Sequence, residues 1–363
     1  YKGFHQEELL VIQSKKESSQ QIKDRLFASI QDELEKQHKP SPTIGQRKMR
    51  YIRYAAASLV LFLSLGIGFF YYSSNVTSQP IRYTKLLKGD VGPGGNNAIL
   101  DIGNRATINL DQVAIGQIDY ANGVFIRKDA EGIISIYYDK NISGISTEMT
   151  TIKTPAGGQY KVNLPDGTQV WLNSSSIIRF PNVFSQAFRE VELVGEAFFD
   201  VSKVIDKDQH RTPFYINSKN QHIEVLGTRF NVHDYPGESA KTTLVEGSVR
   251  VYSLEDNTFF KVLKPGQQAL LANGKIEVAT VEIEPTMAWR NGDFIFTNES
   301  LRSIMKKIER WYDVEVEYEG DFAGENFSGA VSRSKNLSEV LKIMEYTGKV
   351  KFKIQGRRIL VMK

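Results

Sequence analysis

The chain has no cysteine among its 363 residues. That excludes disulfides, thiolate zinc sites, iron–sulfur clusters and any cysteine nucleophile. It leaves the compartment open, because a large enough core needs no covalent staples on either side of a membrane. Histidine is scarce, at five, and beyond residue 53 only His210, His222 and His233 remain. Neither the H-E-x-x-H of zinc proteases nor the G-x-S-x-G of serine hydrolases occurs. His222 and His233 could meet across strands, but each reads as an ordinary exposed or core histidine. Glu190, Glu192, Glu196 and Asp200 could imitate a glycosidase pair, yet their alternating spacing on one strand reads as a solvated face. Gly92, Gly94 and Gly95 lack a following Gly-Lys-Ser/Thr, so they read as hairpin glycines and not a phosphate loop. No cofactor or metal is expected.

Large net charge is also missing: 46 Lys/Arg stand against 42 Asp/Glu, for +4. The excess is local. Residues 1–53 hold 11 Lys/Arg and 7 Asp/Glu, so residues 54–363 are neutral on balance. A nucleic-acid footprint needs a folded basic face with interleaved aromatics, and none is visible, so no direct nucleic-acid contact is expected. With 41% apolar and 24% charged residues the composition is that of folded protein, and the length suits two or three domains.

One apolar run organises the rest. Residues 54–72 read YAAASLVLFLSLGIGFFYY and carry no charge. As a helix they reach about 28 Å, close to the roughly 30 Å of a hydrocarbon core. Tyr51, Tyr54, Tyr71 and Tyr72 bracket the run as interfacial aromatics do. The fifteen residues before it hold five Lys/Arg and the fifteen after it two, which puts residues 1–53 in the cytoplasm. The expected protein is single-pass in the inner membrane, with its C-terminal bulk in the periplasm. The first residue is Tyr1 and not Met, so the natural N-terminus is expected to lie further upstream.

On the cytoplasmic side, residues 18–36 place Ile22, Leu26, Phe27, Ile30 and Leu34 at helical spacing behind a Ser18 or Ser19 cap. Lys39-Pro40-Ser41-Pro42 ends that helix. A lone amphipathic helix cannot bury its stripe, so it packs on upstream residues, on Leu9–Ile12, or on a partner. Residues 81–290 show short alternating runs between turn signals, which predicts an all-β sandwich or solenoid-like stack. PGGNNAILDIGNRATINLD at 93–111 and AGGQYKVNLPDGTQVWLNS at 156–174 form a weak repeat. In IEVLGTRFNV, Ile223 and Val225 have one parity and Phe230 and Val232 the other. A β-bulge at Gly227-Thr228 would reconcile them. The Thr228 hydroxyl next to the Gly227 carbonyl also permits an N→O acyl shift and chain cleavage. Residues 291–363 read as a small α/β domain of two βαβ-like halves. In it Asn298 caps a helix carrying Leu301, Ile304, Met305 and Ile308, and Asn336 leads one carrying Leu337, Val340, Leu341 and Met344.

The ordered set TPAGGQYKVNLPDGTQVWLNSSS (154–176), REVELVGEAFFDV (189–201), PFYI with VLGTRFNV (213–232), TTLVEGSVRV (242–251), LKPGQQA (263–269) and AWRNGDFIFTNESLRSIMKKIERWYDV (288–314) resembles FecR-family transmembrane anti-sigma factors. The likeness is to the larger version with a C-terminal secretin/TonB N-terminal-like domain. The resemblance implies five segments: a cytoplasmic helical segment (1–53), a membrane span (54–72), a membrane-proximal β region (73–150), a FecR-like β domain (151–290) and the C-terminal α/β domain (291–363).

It implies signalling without turnover catalysis. A cytoplasmic extracytoplasmic-function sigma factor would be held by Ile22, Leu26, Phe27, Ile30 and Leu34. The signalling domain of a TonB-dependent outer-membrane receptor would be met around Phe294, Phe296, Trp311, Tyr312, Val314 and Val316, and regulated proteases would complete the relay. Some relatives cut themselves at the matching Gly-Thr, which carries over to Gly227 and Thr228. The cytoplasmic segment is shorter than the usual anti-sigma domain. Two other classes compete: a structural or adaptor component of an envelope secretion or assembly complex, and a membrane-tethered glycan-active enzyme.

Overall fold

Inward apolar residues at a spacing of two, broken by glycine turns, make this a mainly β molecule. The computed structural model describes residues 90–363 apart from 103–106, 122–123, 139–147, 255–258 and 273. The expected helix at 18–36 and the span at 54–72 lie outside the described residues. Among the described residues no helix is long and apolar enough to cross a membrane.

After a short β1 (Gly95–Asn96) the strands fall into two sheets that share one core. The first sheet contains β2 (Ile99–Ile102), β3 (Ile108–Asn109), β7 (Met149–Thr154) and β10 (Ser176–Pro181). It continues through the first half of β11 (Arg189–Asp200) to β12 (Phe214–Asn217), β13 (Gln221–Val225), β16 (Val249–Ser253) and β17 (Phe260–Leu263). The second begins with β4 (Gly116–Ala121), β5 (Val124–Lys128), β6 (Ile134–Tyr138), β8 (Gly158–Asn163) and β9 (Gln169–Leu172). The second half of β11, β14 (Arg229–Asp234), β15 (Ala240–Glu246), β18 (Gln267–Ala272) and β19 (Lys275–Thr280) complete it. From β12 onward, successive hairpins alternate between the sheets, so the sandwich is wound as a stack. Leu100, Ile152, Val170, Phe180, Phe199, Phe230 and Val251 are fully buried between them. Each such side chain contributes on the order of 1.5–3 kcal/mol by leaving water.

Three sequence features acquire physical causes here. Glycines of the weak repeat meet: Gly95 and Asn96 pair in parallel with Gly158 and Gln159, so Gly94-Gly95 opens a parallel contact and not a hairpin. The change of parity at Gly227 is not a bulge within one strand. β13 belongs to the first sheet and β14 to the second, and Leu226–Thr228 is the corner between them. Residues of opposite parity therefore point into the same core from facing sheets, and Gly227 supplies the φ of 131° that the corner needs. A register shift does occur, one residue later, between Arg229 and Phe230.

The turn at Asp166 anchors a buried ion pair. Arg189 Nη1 donates to Asp166 Oδ2 at 2.6 Å and to the Ser202 carbonyl at 2.8 Å, while Nη2 donates to the Thr212 carbonyl at 2.8 Å. With both partners buried and both Nη groups of the arginine hydrogen-bonded, the pair fixes where the β11–β12 crossing returns.

Helix α1 (Glu284–Asn291) leads from the stack into a second core. That unit runs β20 (Asp293–Ser300), α2 (Leu301–Tyr312), β21 (Glu315–Tyr318), β22 (Asn326–Ser332), α3 (Leu337–Glu345), β23 (Lys351–Gln355) and β24 (Arg358–Met362). The two βαβ-like halves are interleaved: β20 pairs with β22 antiparallel, and β21 pairs with β24 in parallel. Ser300, not Asn298, is the N-cap of α2, its hydroxyl accepting from the Ser303 N–H at 3.3 Å. Asn298 takes a left-handed turn with φ 48° instead. Leu301, Ile304, Met305 and Ile308 are buried as the spacing predicts, as are Leu337, Val340, Leu341 and Met344.

Candidate functional site

The chemistry concentrates where the second core meets the outer face of the second sheet. Gly195 creates that face. β11 pairs with β10 and β12 up to Val194 and with β9 and β14 from Gly195 onward, a change made at φ 99°. An added Cβ at Gly195 would stand 2.5 Å from Ser176 Oγ and 2.8 Å from Ser176 Cα. Downstream of this switch Glu196 faces the second core, not water, correcting the solvated-face reading at that one position. Glu190 and Asp200 are half-buried and Glu192 is exposed.

Glu196 anchors a chain of polar contacts. Its carboxylate accepts from Asn173 Nδ2 at 2.8 Å and Asn231 Nδ2 at 3.0 Å, with His233 Nδ1 at 3.7 Å. His233 Nε2 lies 3.2 Å from Glu238 Oε2. Glu238 Oε1 accepts from Arg310 Nη1 of α2 at 2.6 Å, with Lys306 Nζ at 3.8 Å.

Burial pushes the Glu196 carboxyl upward, but the His233 contact and the two asparagine donors outweigh it and hold it well below the usual range. Burial likewise acts against the charged His233, and the two glutamates overcome it, so its pKa is raised. Glu238 is lowered against its own burial by His233 and Arg310. The relay is a charged, alternating row crossing from sheet to helix.

A second bridge is built on Arg333, itself buried. Its Nη1 donates to the Trp289 carbonyl at 2.7 Å and its Nη2 to Asn173 Oδ1 at 3.0 Å. Its guanidinium stacks 3.6 Å from the Trp311 ring centroid. Burial brings its pKa down to about 10, with Glu196 pulling the other way. Trp311 Nε1 returns a hydrogen bond to the Arg333 carbonyl at 2.8 Å, and Trp289 Nε1 donates to Asn231 Oδ1 at 3.2 Å. Arg310 also lies 3.9 Å over the Tyr235 ring, whose hydroxyl donates to the Ser174 carbonyl at 2.7 Å. Beside these bridges a cleft of about 630 Å³ opens, lined by Asn231, His233, Thr243, Gln268, Phe296 and Lys307 among others.

This junction joins two regions that known families also distinguish. Residues 150–250 match the model described as FecR protein, and residues 293–361 match that described as FecR, C-terminal. The chain carries FecR-family domains in both regions. Two crystal structures of a candidate anti-sigma factor from Parabacteroides distasonis, at 2.50 Å and 1.65 Å resolution, are similar to this chain. The first is 29% identical with a TM-score of 0.53, covering 59% of this chain and 99% of its own. The second is 28% identical with a TM-score of 0.53, covering 59% and 98%. No curated protein matches the chain.

The sequence candidates are distributed unevenly over this architecture. Ile22, Leu26, Phe27, Ile30 and Leu34 lie outside the described residues. Phe294, Phe296, Trp311, Tyr312 and Val314 are buried in the second core, and Val316 packs against it half-buried. They support a surface instead of forming one. At the Gly227 corner the Thr228 hydroxyl donates to the Ser248 carbonyl at 3.0 Å, and the Thr228 carbonyl accepts from the Val201 N–H at 3.0 Å. The corner thus points the hydroxyl proton at an amide oxygen.

His222 and His233 do not meet. His222 stacks on Tyr215 in the first sheet, 5.2 Å between centroids, while His233 sits in the junction on the second. His210 is exposed. Arg310, Arg333, Glu238 and Asn173 were invisible as site residues, because no local pattern brings positions 160 residues apart together. Among the described residues no group of three metal-ligating side chains forms a metal site.

Proposed function

We propose that this protein is a membrane-anchored anti-sigma factor that carries a signal from the periplasm to a cytoplasmic sigma factor. The observation that carries the reading is the pairing of the FecR and FecR C-terminal regions in one chain, together with a fold shared over 59% of the chain with the candidate anti-sigma factor structures. The apolar run at 54–72 supplies the anchor and places residues 1–53 inside. The stripe Ile22, Leu26, Phe27, Ile30 and Leu34 is the surface offered to an extracytoplasmic-function sigma factor.

The periplasmic signal is the docking of the signalling domain of a TonB-dependent outer-membrane receptor on the C-terminal unit. The junction makes such docking consequential, since Arg310 and Arg333 tie that unit to the β stack through polar contacts to Glu238 and Asn173. Moving the unit breaks charge pairs held out of water, which costs far more than sliding an apolar contact. Regulated proteolysis of the membrane-proximal chain then frees the sigma factor. Any cleavage at Gly227-Thr228 would have to take up the hydroxyl proton that the Thr228 side chain now donates to the Ser248 carbonyl.

The test is co-purification of the detergent-solubilised full chain with the sigma factor encoded beside it. The sigma factor is retained by the wild-type chain and lost when Ile22, Leu26 and Phe27 are changed to Asp. Equal retention by both chains, or by neither, overturns the assignment.

A further inference from the structure

Helix α3 is capped by a residue from the other end of the described chain. Its own N-cap, Asn336, makes no side-chain capping hydrogen bond. The Asp90 carboxylate serves instead, taking the Ser338 N–H at 3.2 Å and the Ser338 hydroxyl at 2.8 Å across 248 positions of sequence. The Val91 carbonyl takes the Leu337 N–H at 3.0 Å, and the Val91 side chain is part of the second core. Orphan donors of a first helical turn, and the positive end of the helix, are thereby satisfied by one carboxylate and one carbonyl.

Four residues on, the strap changes owner. Gly95 donates to the Gly157 carbonyl at 2.8 Å, Gly95 and Asn96 pair with β8, and Ala98 is buried in the core of the stack. Between the two lies Gly94, where an added Cβ would stand 2.4 Å from the Gly157 oxygen and 2.8 Å from the Trp311 ring and carbonyl. The strap is threaded through the junction with no room for a side chain. Its route is set by topology: the chain enters on the C-terminal unit, crosses into the stack, and returns to the C-terminal unit only at the end.

We infer that Asp90–Val91 is a latch that the C-terminal unit closes on the chain entering it, so that displacing α3 releases the strap upstream of Gly95. The groups involved suit a reversible catch. Gly92, next to the latch, has open space around it, and its backbone is the least restricted of any residue type. Only one side chain, Val91, must leave a core. As a signalling device the latch rests on the anti-sigma reading above; as a contact it stands alone, and the experiment separates the two.

Absence of cysteine makes the lock simple to build: the double variant Asp90→Cys with Ser338→Cys holds the only two thiols of the full chain. In hydrogen exchange on the full chain in detergent, Asp90→Ala is expected to speed exchange of the Leu337 and Ser338 amides about fivefold, the loss of one cap, with peptides over 221–251 unchanged. Asp90→Asn, which keeps an acceptor, is expected to stay closer to wild type. In cells, the oxidised double-cysteine chain is expected to leave a sigma-dependent reporter unresponsive to inducer, and reductant to restore the response. Unchanged exchange in Asp90→Ala overturns the latch itself. An oxidised lock that responds like wild type overturns its role in signalling. A reporter indifferent to deletion of residues 18–36 overturns the anti-sigma reading and leaves the exchange result standing.

Discussion

Removing the Arg333 guanidinium is the most informative perturbation of the junction. Arg333→Met keeps the length and apolar stem but deletes two charge-assisted donors, to the Trp289 carbonyl and Asn173 Oδ1, and the stack on Trp311. Each such hydrogen bond contributes about 1.5–3 kcal/mol. A desolvated cation over an indole adds roughly 1–2 kcal/mol. Against these stands the cost of burying the cation, which is what lowers the Arg333 pKa. Both acceptors keep a second donor, from Gly292 N–H and Ser174 N–H, so neither is stranded completely. The balance is a loss of roughly 3 kcal/mol, about half of a marginal domain's stability, carried across the two cores by the Asn173 and Trp289 contacts and within the C-terminal unit by the Trp311 stack.

Urea unfolding of the full chain in detergent, followed by tryptophan fluorescence, reads this directly. All three tryptophans, Trp171, Trp289 and Trp311, sit at or beside the junction. Wild type is expected to unfold in one transition and Arg333→Met in two, the first losing Trp311 burial. A double-mutant cycle with Asn173→Ala should return a coupling of about 1.5–3 kcal/mol. A single transition shifted by less than about 0.5 kcal/mol, with no coupling in the cycle, refutes the reasoning.

The His233 relay predicts a pH window. His233 is raised above its ordinary 6.5, so its contribution is complete below that value and disappears as pH rises through the raised one. Glu196 and Glu238 are lowered from 4.5, so theirs is complete above 4.5 and fades as pH falls through the lowered values. Denaturation midpoints should therefore peak between about 4.5 and 6.5 and decline on the alkaline side, and His233→Gln should flatten that decline. Gly195→Ala meets both a φ of 99° and the Ser176 backbone, and is expected to destabilise the stack by more than about 3 kcal/mol, measured as a drop in melting temperature.

Much of this architecture was legible because it is local. Alternating apolar residues marked β9, β10, β12, β13 and β16, and the spacing of Leu301, Ile304, Met305 and Ile308 marked α2. Even the Gly227 irregularity showed as a break in parity, though parity alone cannot tell a bulge from a corner between facing sheets. Glu196 was misplaced for a related reason: alternation says which side of a strand a residue occupies, not what covers that side. The junction was not legible at all. Asn173, Glu238, Arg310 and Arg333 have no mutual spacing, and Asp90 caps a helix 248 positions away. Aromatics of the second core were conspicuous in the sequence, yet conspicuous apolar residues mark what a domain buries more often than what it presents.

The central claim is that the C-terminal unit governs an anti-sigma activity lodged at the other end of the chain. The most direct measurement is sigma-dependent transcription in cells carrying the full chain or the chain lacking residues 293–363, with and without inducer. The truncated chain is expected to break the dependence on inducer, while the full chain lacking residues 18–36 is expected to leave the sigma factor active throughout. A truncated chain that responds to inducer as the full one does would contradict it.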